Sequence, residues 1–141
     1  MRQDRVAAPN SARILVVEDE VVIAMDIQMQ LRELGHIPVG HATHGEQAVV
    51  LAGELLPDLV LMDIHLAGAM NGITAAQTIR ERFGLTSVFL SAFSSPQSRA
   101  SAEACQPAGY LAKPFSERDL GDVIASFLES GRPPPPPTQV A

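Results

Sequence analysis

Aromatic residues and cysteine are scarce in this sequence. It contains no Trp, one Tyr and one Cys, and aromatic residues make up 4% of its 141 positions. The single cysteine, Cys105, excludes an internal disulfide, and the shortage of rings argues against a stacking platform for single-stranded nucleic acid. The sequence also lacks a signal-peptide pattern and any apolar run of membrane-spanning length. We therefore expect a soluble, cytoplasmic protein.

Positive charge is also limited. Lys and Arg number 10 against 16 Asp and Glu, the net charge is −6, and no basic block occurs. Binding to nucleic acid or to an anionic membrane surface requires clustered Lys and Arg, so we expect neither partner. A cationic or metal partner fits the net charge better. The length and the 46% hydrophobic content are those of one domain with a single core.

Both ends of the chain differ in composition from its middle. Residues 1–12, MRQDRVAAPNSA, are polar and predict a flexible N-terminal arm. Residues 130–141, SGRPPPPPTQVA, cannot continue a helix, because prolines lack the amide donor and favour polyproline II. We interpret this Pro-rich tail as a spacer, with a ligand for an aromatic-lined groove as the alternative. The folded domain is then expected at residues 13–129.

Between these ends, short apolar runs alternate with segments of helical spacing. The runs are typical of buried strands: RILVV, IPVGHA, DLVLM, SVFLS and GYLAK, which begin at positions 13, 37, 58, 87 and 109. The first helical segment has Val22, Ile23, Ile27, Leu31 and Leu34 near helical spacing and is expected to end at Gly35. Capping boxes are predicted at Thr43 with Glu46 and at Ser116 with Asp119. The alternation predicts an α/β doubly wound domain with a parallel sheet.

Polar side chains follow several of the predicted strands, at the point where each strand ends. Glu18 and Asp19 follow the first strand, Asp63 the third, Ser91 ends the fourth and Lys113 the fifth. Each has an ordinary explanation by itself, such as the favourable position of an acid near a helix N-terminus. The carboxyl ends of parallel strands share one edge, however, and this edge is where such sheets bind ligands. We therefore expect these five residues to lie together.

Three carboxylates at one edge repel one another, which raises a pKa or requires a cation. Oxygen ligands without a neighbouring Cys suit Mg²⁺, which also accepts phosphate oxygens. The histidines lack the paired helical spacing of a zinc site; they are His36, His41, His44 and His65. Beside Mg²⁺ a carboxylate can attack phosphorus and become an acyl phosphate, and Ser91 and Lys113 are suitable donors to the moving oxygens.

Four segments resemble the receiver domain of two-component response regulators. They are RILVVEDE, DLVLMDIHL, FLSA and GYLAKPF, and the resemblance extends from about Arg13 to Leu128. It implies a bacterial signalling protein with a flavodoxin-like fold, a doubly wound parallel sheet of five strands in the order 2-1-3-4-5 with five helices. It also implies that the chain takes a phosphoryl group from a histidine kinase or a histidine phosphotransfer protein.

The resemblance further implies which residues react and which hold the metal. Asp63 corresponds to the phosphoacceptor. Glu18, Asp19 and Asp63 correspond to the side-chain ligands of Mg²⁺, and the backbone carbonyl of His65 to a further ligand. Two departures from the family pattern concern this region. The loop HLAGAMNG after Asp63 lacks the usual proline and is slightly longer, and the bulky His65 and Phe93 lead us to expect slow loss of the phosphoryl group.

A switch is implied by three further positions. Ser91 corresponds to the family's hydroxyl residue, Lys113 to the lysine that contacts the phosphoryl group, and Tyr110 to the switch aromatic. Phosphorylation would draw in Ser91 and let Tyr110 turn inward, which changes the face of the fourth helix, fifth strand and fifth helix for partner binding. An ordinary edge-strand aromatic is the alternative for Tyr110. The fourth helix, rich in Ser and Ala, is expected to be the most mobile. The Lys113-Pro114 peptide is expected to be cis.

Several whole-protein interpretations remain. No DNA-binding, cyclase or methylesterase sequence follows, so we expect a stand-alone receiver, a monomer or phosphorylation-dependent dimer that is not a turnover enzyme. The alternatives are a fragment of a larger regulator or hybrid kinase, a Mg²⁺-dependent phosphatase with an Asp nucleophile, and a binding module that is not phosphorylated. Such a phosphatase usually needs a second acid two residues after the nucleophile, and here that position is His65.

Overall fold

The structure is a computed structural model that describes residues 11–66, 68–91 and 96–130, the side chains of 96–99 excepted. Most of the predicted N-terminal arm, the Pro-rich tail after residue 130 and Phe93 lie outside the described residues. In the part of the chain that is described, no helix is both long and apolar enough to cross a membrane.

Strands and helices alternate along the described chain. The strands are β1 (Arg13–Val17), β2 (Ile37–Ala42), β3 (Leu59–Asp63), β4 (Thr86–Ser91) and β5 (Gly109–Ala112). The helices are α1 (Val21–Glu33), α2 (Gly45–Leu55), α3 (Gly72–Phe83), α4 (Pro96–Glu103) and α5 (Glu117–Glu129). The five strands form one parallel sheet in the order β2-β1-β3-β4-β5. The doubly wound fold and the strand order predicted from the resemblance are thereby confirmed.

The central strand β3 is buried on both faces. Leu59 and Leu61 pack in the cluster that contains the buried side chains of α1 and α5, whereas Val60 and Met62 pack against α2 and α3. Fully burying a Leu or Val side chain stabilises a fold by about 1.5–3 kcal/mol. The apolar run is therefore explained by helices on both sides of the sheet, and the strand that they hold ends at Asp63.

One of the two predicted capping boxes is present. Ser116 Oγ accepts from the Asp119 amide, and the Asp119 carboxylate accepts from the Ser116 amide, which confirms the start of α5. The box at Thr43 and Glu46 is wrong by one residue. α2 begins at Gly45, its cap is His44, and the ring of His44 accepts from the Gln47 amide at 3.3 Å. Thr43 lies in the connection after β2, where its amide donates to Gln47 Oε1 at 2.9 Å.

The buried face of α1 contains only some of the apolar residues that stand near helical spacing. Ala24, Ile27 and Leu31 form it, whereas Val22 is 79% exposed. A helix turns by about 100° per residue, so Val22 points about 140° away from Ile27. Val22 shares a second apolar face with Met25 and Met29, which are 62% and 53% exposed. We call Val22, Met25 and Met29 the α1 surface.

Candidate functional site

The predicted site residues lie at one edge of the sheet. β1, β3, β4 and β5 run parallel, and their paired registers include Val17 with Met62 and Ser91 with Ala112. The residues that end or follow these strands are therefore neighbours at the carboxyl edge: Glu18, Asp19, Asp63, Ser91 and Lys113. The structure thus brings together the side chains that the sequence pattern placed at four separate strand ends.

Three carboxylates form a compact cluster at this edge. One oxygen each from Glu18, Asp19 and Asp63 lies within 4.8 Å of the others. Glu18 is fully buried, Asp63 is 3% exposed, and Asp19 is partly exposed. Mg²⁺ binds oxygens at about 2.1 Å, so two ligands of one ion lie at most about 4.2 Å apart. The three oxygens lie close to this separation, and the all-oxygen donor set fits Mg²⁺.

Lys113 connects the buried acids. Its ammonium donates to Glu18 Oε1 at 2.7 Å and to Asp63 Oδ2 at 3.2 Å. Burial lowers the pKa of Lys113, but the hydrogen bond to Glu18 and the negative charge of Asp63 outweigh this effect and raise the pKa above its ordinary value. Lys113 is therefore charged at neutral pH and offsets part of the repulsion between the carboxylates.

Both oxygens of Asp63 are oriented by hydrogen bonds. Oδ1 accepts from the His65 amide at 3.1 Å, and Oδ2 accepts from Lys113. Burial, and then repulsion from Glu18, raise the pKa of Asp63 to about 6, against the opposing effects of Lys113 and His65. The carboxylate is therefore ionised in most molecules at pH 7 and is held in one orientation, as a nucleophile requires.

His65 contacts the site through its backbone, while its side chain is exposed. Its carbonyl remains a predicted metal ligand, and the expected shielding of a phosphoryl group by its ring remains a prediction as well. Phe93, the other bulky residue that was expected to slow loss of the phosphoryl group, lies outside the described residues.

Ser91 and Tyr110, the two residues predicted to form the switch, lie in β4 and β5. Ser91 is 1% exposed, and its hydroxyl has no hydrogen-bond partner within the described chain. A buried hydroxyl is usually hydrogen-bonded, so this one is available to an incoming oxygen. Tyr110 is half-buried, with its ring centroid 6.1 Å from that of Phe89. β5 is an edge strand, so the switch role and the ordinary edge-strand role for Tyr110 both stay open.

Gly72 is a site residue that sequence reasoning missed. A Cβ at Gly72 would lie 1.9 Å from the backbone oxygen of Asp63, and the Gly72 amide donates to the Ile64 carbonyl at 2.9 Å. The start of α3 can approach the end of β3 this closely only without a side chain. A clue was present in the sequence, because Gly72 follows Asn71, which caps α3 through its side chain.

The α1 surface and His41 were also missed. Met25 and Met29 follow Val22 at three and seven residues, which is helical spacing, but the pattern alone does not distinguish an exposed apolar stripe from a buried one. α1 begins three residues after Glu18, so this surface starts beside the carboxylates. His41 was considered only as a zinc ligand, yet its Nε2 lies 2.9 Å from the backbone oxygen of Glu18.

Comparisons with known proteins agree with the fold. The family described as response regulator receiver domain matches residues 14–125. The phyllosphere-induced regulator PhyR of Methylorubrum extorquens is 35% identical over 123 residues, which cover 86% of this chain and 45% of PhyR. The transcriptional regulatory protein PdtaR of Mycobacterium tuberculosis is 42% identical over 108 residues, which cover 77% of this chain and 52% of PdtaR.

Solved structures show the same likeness. The signal receiver domain of a modulated diguanylate cyclase from Desulfovibrio desulfuricans superposes with a TM-score of 0.80 at 32% identity, over 84% of this chain and 94% of that one. The chain spans about half the length of the curated relatives described above. The family match covers most of the 141 residues. The resemblance predicted from the four segments is therefore confirmed, and this chain belongs to the receiver-domain family of response regulators.

Proposed function

We propose that this domain accepts a phosphoryl group on Asp63, in the presence of Mg²⁺, from a histidine kinase or a histidine phosphotransfer protein. The observation that carries the proposal is the position of the Asp63 carboxylate, which is oriented by Lys113 and the His65 amide within a cluster of three acids. A receiver domain is a signalling module, and this arrangement supports a stoichiometric acceptor with no further turnover.

In the proposed reaction, a carboxylate oxygen of Asp63 forms a bond to phosphorus while the bond between phosphorus and the imidazole nitrogen of the donor breaks. The donor histidine keeps the electron pair of that bond and takes up a proton. Lys113 can donate to one phosphoryl oxygen and the buried Ser91 hydroxyl to another. Hydrogen-bond donors that are already in place cost little reorganisation when charge develops on these oxygens.

Receiver domains bind Mg²⁺ at an acidic pocket, and the acids of this chain fit that use. Glu18, Asp19 and Asp63 would hold the ion, with the His65 carbonyl as a further ligand. When bound, Mg²⁺ neutralises negative charge on the carboxylates and on the phosphoryl oxygens. Lys113 already contacts two of these acids, so its ammonium and the ion would share the compensation of their charge.

We further propose that phosphorylation changes the face formed by α4, β5 and α5, and that this face binds a downstream protein. Among the described side chains of α4, Ala102 is buried while Ala100 and Ser101 are exposed. These described residues therefore bury little apolar surface, and two arrangements of the helix with similar free energy are feasible. Along β4 and β5, Ser91 pairs with Ala112 and Phe89 with Tyr110. This pairing offers a route from the phosphoryl group to the partner surface.

The proposal is tested by incubating the protein with Mg²⁺ and acetyl phosphate and measuring its intact mass. We expect one phosphoryl adduct on the wild type, none on Asp63→Asn, and an unchanged adduct on Asp122→Asn, which removes an exposed acid of α5. An adduct that persists in Asp63→Asn would refute the assignment of the acceptor. Continued turnover of a small phosphate ester would instead indicate the phosphatase.

A further inference from the structure

His41 is a residue of β2 whose side chain contacts the acidic cluster. It lies near the end of this edge strand, in register with Val16 of β1. Its Nε2 lies 2.9 Å from the backbone oxygen of Glu18. A carbonyl oxygen only accepts hydrogen bonds, so Nε2 carries the hydrogen and donates it. The accepting carbonyl belongs to the peptide that joins Glu18 to Asp19.

This peptide lies outside the regular hydrogen bonding of both neighbouring elements. β1 ends at Val17 and α1 begins at Val21. The Glu18 amide donates to the Ala42 carbonyl of β2 at 3.0 Å. At the start of α1, the Ala24 amide donates to the carbonyl of Glu20. Among the described residues, the hydrogen bond to the Glu18 carbonyl comes from the ring of His41. This ring therefore fixes the direction of a peptide that, within the described chain, no strand or helix bond holds.

The direction of the peptide sets where Asp19 points. Because a peptide is planar and rigid, a fixed Glu18 carbonyl also fixes the direction of the Asp19 amide. Glu18 is held at both carboxylate oxygens, by Lys113 and by the Glu20 amide. Asp19 is partly exposed and is repelled by two buried carboxylates. Rotation of the peptide would relieve this repulsion by moving Asp19 towards solvent.

We propose that His41 is a positioning residue of the cation site, which holds the peptide between Glu18 and Asp19 so that both carboxylates face Asp63. This inference rests on the proposed function, because it concerns affinity for the cation that the function requires. It assigns β2, which carries none of the acids, a direct role at the site. Typical net hydrogen-bond energies of about 0.5–1.5 kcal/mol correspond to a change in affinity of about twofold to tenfold.

The test compares wild type with His41→Val, which removes the donor, and His41→Gln, whose amide can reach the same acceptor. Mn²⁺, a probe for the Mg²⁺ site, is titrated by calorimetry, and the free energy of unfolding in urea is measured without metal. We expect His41→Val to bind Mn²⁺ about twofold to tenfold more weakly, and His41→Gln to bind like wild type. His41→Ala serves as a second donor-free variant if His41→Val does not fold.

A second readout follows the position of Asp19 without any metal. Amide resonances of Asp19 and Glu20 are expected to shift or broaden in His41→Val and to stay near their wild-type positions in His41→Gln. Equal Mn²⁺ affinity and unchanged resonances in wild type and His41→Val would overturn the positioning role of His41. The proposed function would not be affected by that result. Failure of wild type itself to bind Mn²⁺ or Mg²⁺ would overturn the proposed function, and the metal-site role of His41 with it.

Discussion

Lys113 Nζ donates a 2.7 Å hydrogen bond to Glu18 Oε1, between residues 95 positions apart in the sequence. The carboxylate that receives this bond is fully buried. A buried charge that loses its partner costs several kcal/mol, so this contact stabilises the end of β1 against the end of β5. The same ammonium lies 3.2 Å from Asp63 Oδ2. The free energy of unfolding therefore depends on the charges of the candidate site.

Lys113→Met is therefore expected to lower the free energy of unfolding by about 3 kcal/mol at neutral pH without metal. Mg²⁺ should restore more stability to this variant than to wild type, because the ion then replaces the missing positive charge. Urea unfolding with and without Mg²⁺ measures both effects. Arg118→Met, which removes an exposed charge from α5, is the control and should change stability little. An equal loss in both variants would contradict the role of the pair.

Asp63 predicts a pH dependence of stability. Its pKa is about 6 in the folded protein against an ordinary value of 3.8, so the folded state favours the protonated form. This contribution to stability is present below about pH 4 and is lost as the pH rises through about 6. The difference between 3.8 and about 6 corresponds to about 3 kcal/mol.

Asp63→Asn should consequently leave stability nearly unchanged at about pH 4 and raise it by as much as about 3 kcal/mol at about pH 7.5 without metal. Thermal or urea unfolding across this range checks the result. Asp122→Asn, an exposed acid, should show no such trend. A gain of the same size at both pH values would show that ionisation of Asp63 is not its cause.

The α1 surface predicts a difference between protein and small-molecule phosphodonors. Met25 is 62% exposed on a helix that begins beside the carboxylates, and exposed apolar patches of this kind mark interaction sites. The donor for this test is a histidine kinase that phosphorylates the wild type. Met25→Glu should slow phosphoryl transfer from this kinase by about tenfold or more. Phosphorylation by acetyl phosphate should be unchanged, since that donor needs no docking.

The matched control is Val50→Glu, which places the same charge at a 58% exposed position of α2. Rates of adduct formation with each donor are compared by intact mass. Slower reaction of Met25→Glu with both donors would point to a damaged site, and unchanged reaction with both would exclude this surface from docking.

Gly72 predicts that a single methyl group disturbs the phosphoacceptor. A Cβ there would lie 1.9 Å from the Asp63 backbone oxygen, so Gly72→Ala must displace the end of β3 or the start of α3. We expect a loss of about 2 kcal/mol or more in stability, of the order seen when a core is overpacked, and slower formation of the adduct. Gly121→Ala is the control, because its nearest neighbour is the end of the Leu34 side chain at 3.0 Å. Equal behaviour of the two variants would refute the close approach.

Sequence patterns were sufficient for the doubly wound α/β class because the relevant forces are local or repeat along the chain, whereas the strand order was implied by the family resemblance. The apolar run of β3 and the capping box of Ser116 and Asp119 are each specified within a few neighbouring residues. Helix spacing was less informative, since it shows that apolar residues share a face but not that the face is covered. Val22 is an example, because the spacing groups it with Ile27 and Leu31 although it is 79% exposed.

For the candidate site as well, one part could be predicted from the sequence and another part could not. That acids, a hydroxyl and a lysine follow the strand ends is a property of the sequence, and parallel strands require these ends to meet at one edge. Which atoms then touch depends on distances between elements far apart in the chain. The contact of Lys113 with Glu18, the approach of Gly72 to Asp63 and the bond from His41 to the Glu18 carbonyl were therefore decided only by the tertiary structure.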